Sequence, residues 1–357
     1  MADKSQRTMK ALVKEAEGTS YKYMDYPVSE PGEGELLVKV TKVSICGSDL
    51  NLYLWNEVAK KIAKLPFIPG HECVGEIVKV GPSCSDSFRV GLRVCCENHY
   101  FCGKCYQCLH GQENICQNLK QYGLGKGTIH GGCCQYTIIP SRYAYVVKTD
   151  ISDNAACLLE PFGVSHLAME KLEPTNETVL IQGCGPIGLM ATGIAKAMGA
   201  KKIIATDIIE CRLELARRMG ANVLVNGRNE NLAKVVLRET NGDGVGRILE
   251  ASGNADLMNN CFKLLRKGGV VVLVGLTKKA LHVDEFLQDI LFKSLTIKTL
   301  HGRNIFSTWE KAEKMLHQKE VDIDAVISHI IPLSKFEQAF ELLLSGKACK
   351  ILMDPQE

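Results

Sequence analysis

TVLIQGCGPIGLMATGIAKAMGAKKIIATD (178–207) is the stretch whose reading decides the fold. TVLIQ (178–182) is a short apolar run of β-branched character, and GCGPIG (183–188) breaks it at once. From Pro186 the apolar residues recur at helical spacing to residue 200, and KKIIATD (201–207) is again a strand run. Strand, glycine turn, helix, strand is the setting in which G-x-G-x-x-G carries meaning. Gly183 permits the tight turn, Gly185 lets the backbone approach a pyrophosphate, and Gly188 allows close packing of helix on strand. The free amides at the helix start attract phosphate. Asp207 ends the next strand, 19 residues beyond Gly188, where a carboxylate accepts from ribose hydroxyls and repels a 2′-phosphate. NAD is therefore expected over NADP, with Arg212 near enough to line the adenine side.

The alternation continues outward from this unit. ECRLELARRMG (210–220) reads as a helix and ANVLVN (221–226) as a strand. A helix near 230–240, a strand at 246–251, a helix near 256–266 and the strand GVVVLVG (269–275) follow, and SLTIKTL (294–300) is the last strand of the series. This repeated βαβ pattern predicts a doubly wound parallel sheet. Upstream of about 160 the texture differs. ELLVKVTKV (35–43), CVGEIVKVG (73–81) and CCQYTIIP (133–140) are short runs between Gly and Pro turns, the pattern of a mostly β domain. Helices near 307–318 and 335–344 and the strand KILM (350–353) close the chain, a tail too short for an independent core. The expected divisions are 1–164, 165–303, and a 304–357 return to the first domain.

Composition narrows the function classes. With 43 Lys+Arg against 40 Asp+Glu the net charge is +3, which argues against a nucleic-acid-binding module. MADKSQRTMK (1–10) lacks the apolar core of a signal peptide, and the apolar stretch 179–195 is broken by Gln182, Pro186 and glycines, so no membrane span is expected. A cytoplasmic protein is the resulting expectation. There, its 16 cysteines are metal ligands or buried thiols before they are disulfides. CGKCYQCLHGQENIC (102–116) spaces Cys102, Cys105, Cys108 and Cys116 as C-x2-C-x2-C-x7-C. Four thiolates can close a tetrahedron around Zn²⁺ with no open position, a structural site. The alternatives at this spacing are an iron–sulfur cluster or four unrelated thiols; the polar, glycine-containing loop favours zinc.

Other candidate ligands are scattered: Cys46 in SICGSD (44–49), His71 and Glu72 in GHECVGEIVKVGPSC (70–84), and Glu160 in LLEPFG (158–163). No spacing rule joins them. GHECVGEIVKVGPSC resembles the signature of the zinc-containing alcohol dehydrogenases of the medium-chain dehydrogenase/reductase superfamily, and CGSD, the four-cysteine lobe and the glycine turn follow in that family's order. The resemblance covers essentially the whole chain. It implies a GroES-like catalytic domain beside the Rossmann domain and two zinc ions per chain, one catalytic and one structural. It also implies that Cys46, His71 and Glu160 ligate the catalytic ion, with Glu72 an adjacent or alternate ligand. Ser48 is then the proton acceptor beside the substrate hydroxyl. Ile187, Val274, Gly275, Leu276, Leu300 and His301 are the expected contacts of the coenzyme. Assembly as a homo-oligomer, tetramer or dimer, follows from the same resemblance.

Within the superfamily, DLNLYLWNEVAKKIAKLPFIPGHE (49–72) and LTIKTLHGRNIFSTWEKAEKML (295–316) resemble the branch that oxidises L-threonine to 2-amino-3-oxobutanoate. Polyol and butanediol oxidation is the alternative, and an inactive protein that keeps zinc and NAD is a third reading. Two positions depart from the pattern. Asn51 stands where the family usually has a proton-relaying His, and Glu160 stands where threonine-oxidising members often have Asp. A zwitterionic substrate needs a cation and an anion. Arg303 is the candidate for the carboxylate, and Glu160 or Glu57 for the ammonium.

Overall fold

The computed structural model describes residues 7–277 and 279–357. The polar start of the chain, residues 1–6, lies outside them. The chain divides into two compact units: one runs up to Glu160 and takes back Asn304–His317 and Ile327–Glu357, and the other comprises Pro161–Arg303 and Gln318–Val326. The division thus falls four residues before the expected one, and residues 318–326 leave the returning tail for the second unit.

Among the described residues the second unit is built on a six-stranded sheet. Its spatial order is Val223–Asn226, Lys202–Asp207, Thr178–Gln182, Val245–Glu250, Leu265–Leu273, Thr296–Thr299, and every pair is parallel. Counted along the chain the order is 3-2-1-4-5-6, which reverses direction between Thr178–Gln182 and Val245–Glu250. Ligands of doubly wound sheets bind at the carboxyl ends of the strands at such a reversal. Leu180, Ile204, Val225, Ile248 and Val271 are fully buried on these strands, as expected where helices cover both faces. The strand expected at 269–275 begins earlier, at Leu265, and ends at Leu273, because the amides of Val274 and Gly275 both turn to the carbonyl of Glu250.

Among the described residues the first unit holds a seven-stranded sheet. Glu35–Ser44 is its centre, flanked by Glu72–Val80 on one side and Lys350–Asp354 on the other, both antiparallel to it. Leu36, Val40, Val43 and Ile77 are completely buried there. The strand expected at 133–140 is shortened to Tyr136–Pro140, since the Cys133 amide donates to Pro69 and the Cys134 amide to Gly132. The returning helix Ser307–His317 is fixed through Glu313. Its buried carboxylate accepts from the Tyr145 hydroxyl (2.6 Å), the Lys148 and Thr149 amides (2.7 and 2.6 Å) and the Thr149 hydroxyl (2.7 Å). No helix among the described residues is long and apolar enough to cross a membrane.

Candidate active site and coenzyme cradle

Cys46 lies two residues past the strand Glu35–Ser44 and opens the helix Gly47–Tyr53; Asp49, one turn in, accepts the Cys46 amide at 2.8 Å. His71 and Glu72 begin the neighbouring strand, whose register places Glu72 opposite Ser44. The pairing of two strands therefore brings together residues 25 positions apart. The ligand atoms of Cys46, His71 and Glu72 all lie within 4.8 Å of one another, and His71 and Glu72 are buried. His71 Nδ1 lies 3.6 Å from Asp49 Oδ1, so a buried carboxylate stands beside the ring at ion-pair distance. Burial pulls the His71 imidazole down, but Asp49 and Cys46 outweigh it and hold its pKa well above the ordinary range. The group thus draws positive charge in among its own atoms. A thiolate, an imidazole and a carboxylate are the donor set of a catalytic zinc site, which keeps its fourth position open. The residues present fit the ion.

Glu160 is buried near the start of the helix Leu159–Leu172. It, Cys46 and Glu72 all act electrostatically on Lys350, a fully buried lysine that no local motif marks. Lys350 donates to Glu72 Oε2 and, at 3.1 Å, to the Ile45 carbonyl; the Ser44 hydroxyl donates to the same Glu72 oxygen. Burial works against the Lys350 charge, but Glu72 and Cys46 overcome it and the net shift is upward. Ser48 and Asn51 sit on Gly47–Tyr53, both half-buried. Asn51 Oδ1 accepts from Asn56 Nδ2 at 2.6 Å. Glu57 does not belong here: its side chain is 78% exposed and pairs with Lys60. Arg303, by contrast, is wholly buried, so a surface role for it is ruled out.

The four-cysteine lobe forms as its spacing requires. Its sulfurs all lie within 4.8 Å, with Cys105 3.5 Å from Cys108 and 3.8 Å from Cys116. A tetrahedron with Zn–S bonds of about 2.3 Å has edges of about 3.8 Å. The amides of Lys104 and then Cys105 draw the Cys102 thiol down to about 6, which favours the thiolate a metal needs. All sixteen cysteines are free of disulfides. Nearby, Glu97 is a buried anchor that sequence inspection passed over: it accepts from Trp309 Nε1 (2.8 Å), the His99 amide (2.8 Å) and His99 Nδ1 (3.0 Å).

In the second unit a cavity of about 850 Å³ opens at the sheet reversal, lined by Gly183, Gly185, Asp207, Arg212, Asn231 and Ser252 among others. The three glycines have separate structural reasons. Gly183 has φ +92°, and a Cβ there would lie 2.7 Å from Ser252 Cα. A Cβ on Gly188 would sit 1.8 Å from the Gly183 carbonyl oxygen. At Gly185 a Cβ meets nothing within 4 Å and φ is −70°, so neither packing nor backbone conformation demands glycine there. The open space above it fits a pyrophosphate at the uncapped start of Pro186–Ala197. Asp207 lines the cavity while its carboxylate accepts from the amides of Cys184 (2.7 Å), Ile208 (2.7 Å) and Ile209 (3.0 Å), which fixes it in place. Val274, Gly275 and Leu276 follow the strand Leu265–Leu273, Leu276 being 88% exposed, and Leu300 and His301 follow Thr296–Thr299. Ile187 is half-buried, its carbonyl accepting from Ser165.

Comparison with known proteins agrees with this geometry. Residues 32–150 match the alcohol dehydrogenase GroES-like domain and residues 186–318 match the zinc-binding dehydrogenase domain. The chain is 38% identical over 332 residues to an L-threonine 3-dehydrogenase of Coxiella burnetii, covering 92% of this chain and 94% of that one. With the L-threonine 3-dehydrogenase of Thermococcus kodakarensis it shares 37% over 358 residues, the full length of both. An alcohol dehydrogenase of Escherichia coli CFT073, solved with its cofactor NADH, superposes with a TM-score of 0.87 at 28% identity, covering 97% and 99% of the two chains.

Gly185→Val is expected to leave the thermal midpoint unchanged and to weaken NADH binding at least about tenfold, a loss of about 1.4 kcal/mol. Fluorescence titration of NADH beside a melting curve checks both, and unchanged affinity would remove the pyrophosphate from this turn.

Proposed function

The chain belongs to the zinc-binding alcohol dehydrogenases, and from that membership we propose that it oxidises the hydroxyl of L-threonine, yielding 2-amino-3-oxobutanoate, NADH and a proton. The observation that carries the reading is the grouping of Cys46 and His71 with the carboxylate of Glu72, joined to near-full-length similarity to L-threonine 3-dehydrogenases; Glu160 as the carboxylate ligand comes from the family resemblance alone. The stretches 49–72 and 295–316 support the substrate.

Cys46, His71 and Glu160 would hold the catalytic zinc, and Cys102, Cys105, Cys108 and Cys116 the structural one. Bound zinc supplies a Lewis acid that lowers the pKa of the substrate hydroxyl, and bound NAD⁺ accepts the hydride from the carbinol carbon. The chain's own residues do the rest. Asp49 stands beside the His71 ring. Ser48, two residues past Cys46, takes the hydroxyl proton. Asn51 cannot carry that proton onward, because an amide does not titrate near neutrality and its carbonyl is already taken by Asn56. Proton release from Ser48 would therefore pass to solvent rather than through residue 51. The Gly183–Gly188 turn holds the pyrophosphate, and Asp207 with Arg212 holds the adenosine ribose and disfavours a 2′-phosphate. Val274, Gly275, Leu276, Leu300 and His301 meet the nicotinamide half.

Assembly belongs to the same proposal. Thr296–Thr299 is an outer strand of the parallel sheet, and residues 276–297 carry the exposed apolar side chains Leu276, Phe286, Leu287, Leu291, Phe292 and Ile297. An unpaired edge flanked by apolar surface fits a second copy about a two-fold axis.

Two outcomes are expected. In a panel of L-threonine, sorbitol, xylitol and 2,3-butanediol, NADH forms fastest with threonine, and Cys46→Ser lowers kcat at least about 10³-fold while NADH still binds. A variant that turned over normally, or a preference for sorbitol, would displace the corresponding part of the proposal; sorbitol is the outcome that Glu160 in place of Asp would favour. In light scattering, the wild-type chain runs as a multiple of its monomer mass and Ile297→Asp shifts it toward the monomer; an unshifted variant would place the contact elsewhere.

A further inference from the structure

Asp207 ends its strand where the chain of the neighbouring strand turns away from it. Register pairs Gln182 with Thr206, and one step further the Gly183 amide donates to the Thr206 carbonyl at 2.9 Å. Gly183 then swings the chain off with φ +92°. The Asp207 carbonyl faces the other neighbour and accepts the Gly227 amide at 3.0 Å. On the side of the glycine turn the Asp207 side chain takes over: Oδ2 accepts the Cys184 amide at 2.7 Å. The main-chain ladder is thus continued by a carboxylate into the turn that cradles the phosphate.

A count of acceptor positions shows what this leaves for a ligand. A carboxylate offers about four, two on each oxygen. Oδ1 accepts the amides of Ile208 (2.7 Å) and Ile209 (3.0 Å), and Oδ2 accepts that of Cys184. One position remains, on Oδ2. A ribose that presents two hydroxyls cannot place one on each oxygen, and at most one of them finds room.

The turn, by contrast, depends on this contact. Pro186 has no N–H, and that of Cys184 is committed to Asp207. A phosphate is left the amides of Gly185, Ile187 and Gly188, at a helix start whose first amides have no partner inside the helix. Nothing lies within 4 Å of where a Cβ would stand on Gly185, so the tip of the turn takes its support from Cys184 next to it.

We propose that Asp207 is a positioning residue for the diphosphate: by holding the Cys184 amide it aims the amides that follow, and this carries more of its contribution to binding than the ribose hydroxyls do. The inference rests on the coenzyme reading given above and deepens the role of one residue in it.

The test uses the full-length protein, calorimetric titration with ADP and with 2′,3′-dideoxy-ADP, and hydrogen exchange without ligand. Both nucleotides carry the diphosphate, and only the first carries the ribose hydroxyls. Wild type is expected to bind the dideoxy form less than about tenfold more weakly than ADP, the scale of a single hydrogen bond. Asp207→Ala weakens both nucleotides by a similar factor, each at least about tenfold, the scale of a lost charge-assisted hydrogen bond. In the same variant the Cys184 amide exchanges at least about tenfold faster, a change that a pure ribose contact would not produce. A loss confined to ADP, a dideoxy-ADP affinity that falls less than tenfold, or unchanged exchange at Cys184 would each overturn the proposal. Should Asp207→Ala fail to fold, the wild-type pair decides: a dideoxy form weaker by tenfold or more makes Asp207 a ribose reader and ends the positioning role. A wild-type protein that binds neither NADH nor ADP would instead overturn the coenzyme reading beneath it.

Discussion

Charge is confined at one point of the first unit, and the rest of the site follows from how it is balanced. Asp49, Glu72 and Lys350 are all buried, and Cys46, His71 and Glu160 share their surroundings. Buried charge of this density is tolerated only where it is paired or coordinates a metal. Lys350 neutralises one carboxylate, and the thiol of Cys46, the ring of His71 and the carboxylate of Glu72 come together as a set that can hold a cation. A divalent ion fits that set. The sheet of the first unit serves this balance directly: the central strand Glu35–Ser44 is clasped on one side by the strand that bears Glu72 and on the other by the strand that bears Lys350.

The second unit solves a simpler problem. It needs a place where backbone amides can meet a phosphate without a side chain in the way. Gly188 satisfies the protein's own packing, since the Gly183 carbonyl leaves no room for a Cβ, while a Cβ at Gly185 would meet only open space. Asp207 ties the two βα turns together through three amide contacts and remains at the cavity wall, so one carboxylate both builds the cradle and lines its opening.

How much of this was legible beforehand depended on whether the signal was local. The glycine turn and the C-x2-C-x2-C-x7-C lobe are written within 30 residues of chain, and their period and spacing are enough to place them. Cys46, His71 and Glu160 are joined by strand pairing, which no spacing encodes, and only family resemblance pointed to them. Lys350, Ser44 and Asp49 went unnoticed for the same reason, Lys350 lying 278 residues from its partner Glu72. The strands Thr8–Val13 and Lys22–Pro27 were also missed: the second alternates charged and aromatic residues on a largely exposed face and gives no apolar run. Strand ends were misjudged at Cys133 and at Val274, where backbone amides leave the ladder for neighbouring carbonyls.

The claim on which everything else rests is that Cys46 and His71 share an ion. An anomalous difference map recorded at the zinc edge, from crystals of the zinc-loaded protein, tests it most directly. The account predicts two peaks per chain, one enclosed by the four sulfurs of the 102–116 lobe and one between the Cys46 sulfur and the His71 ring. A single peak in the lobe, with nothing between Cys46 and His71, would contradict it.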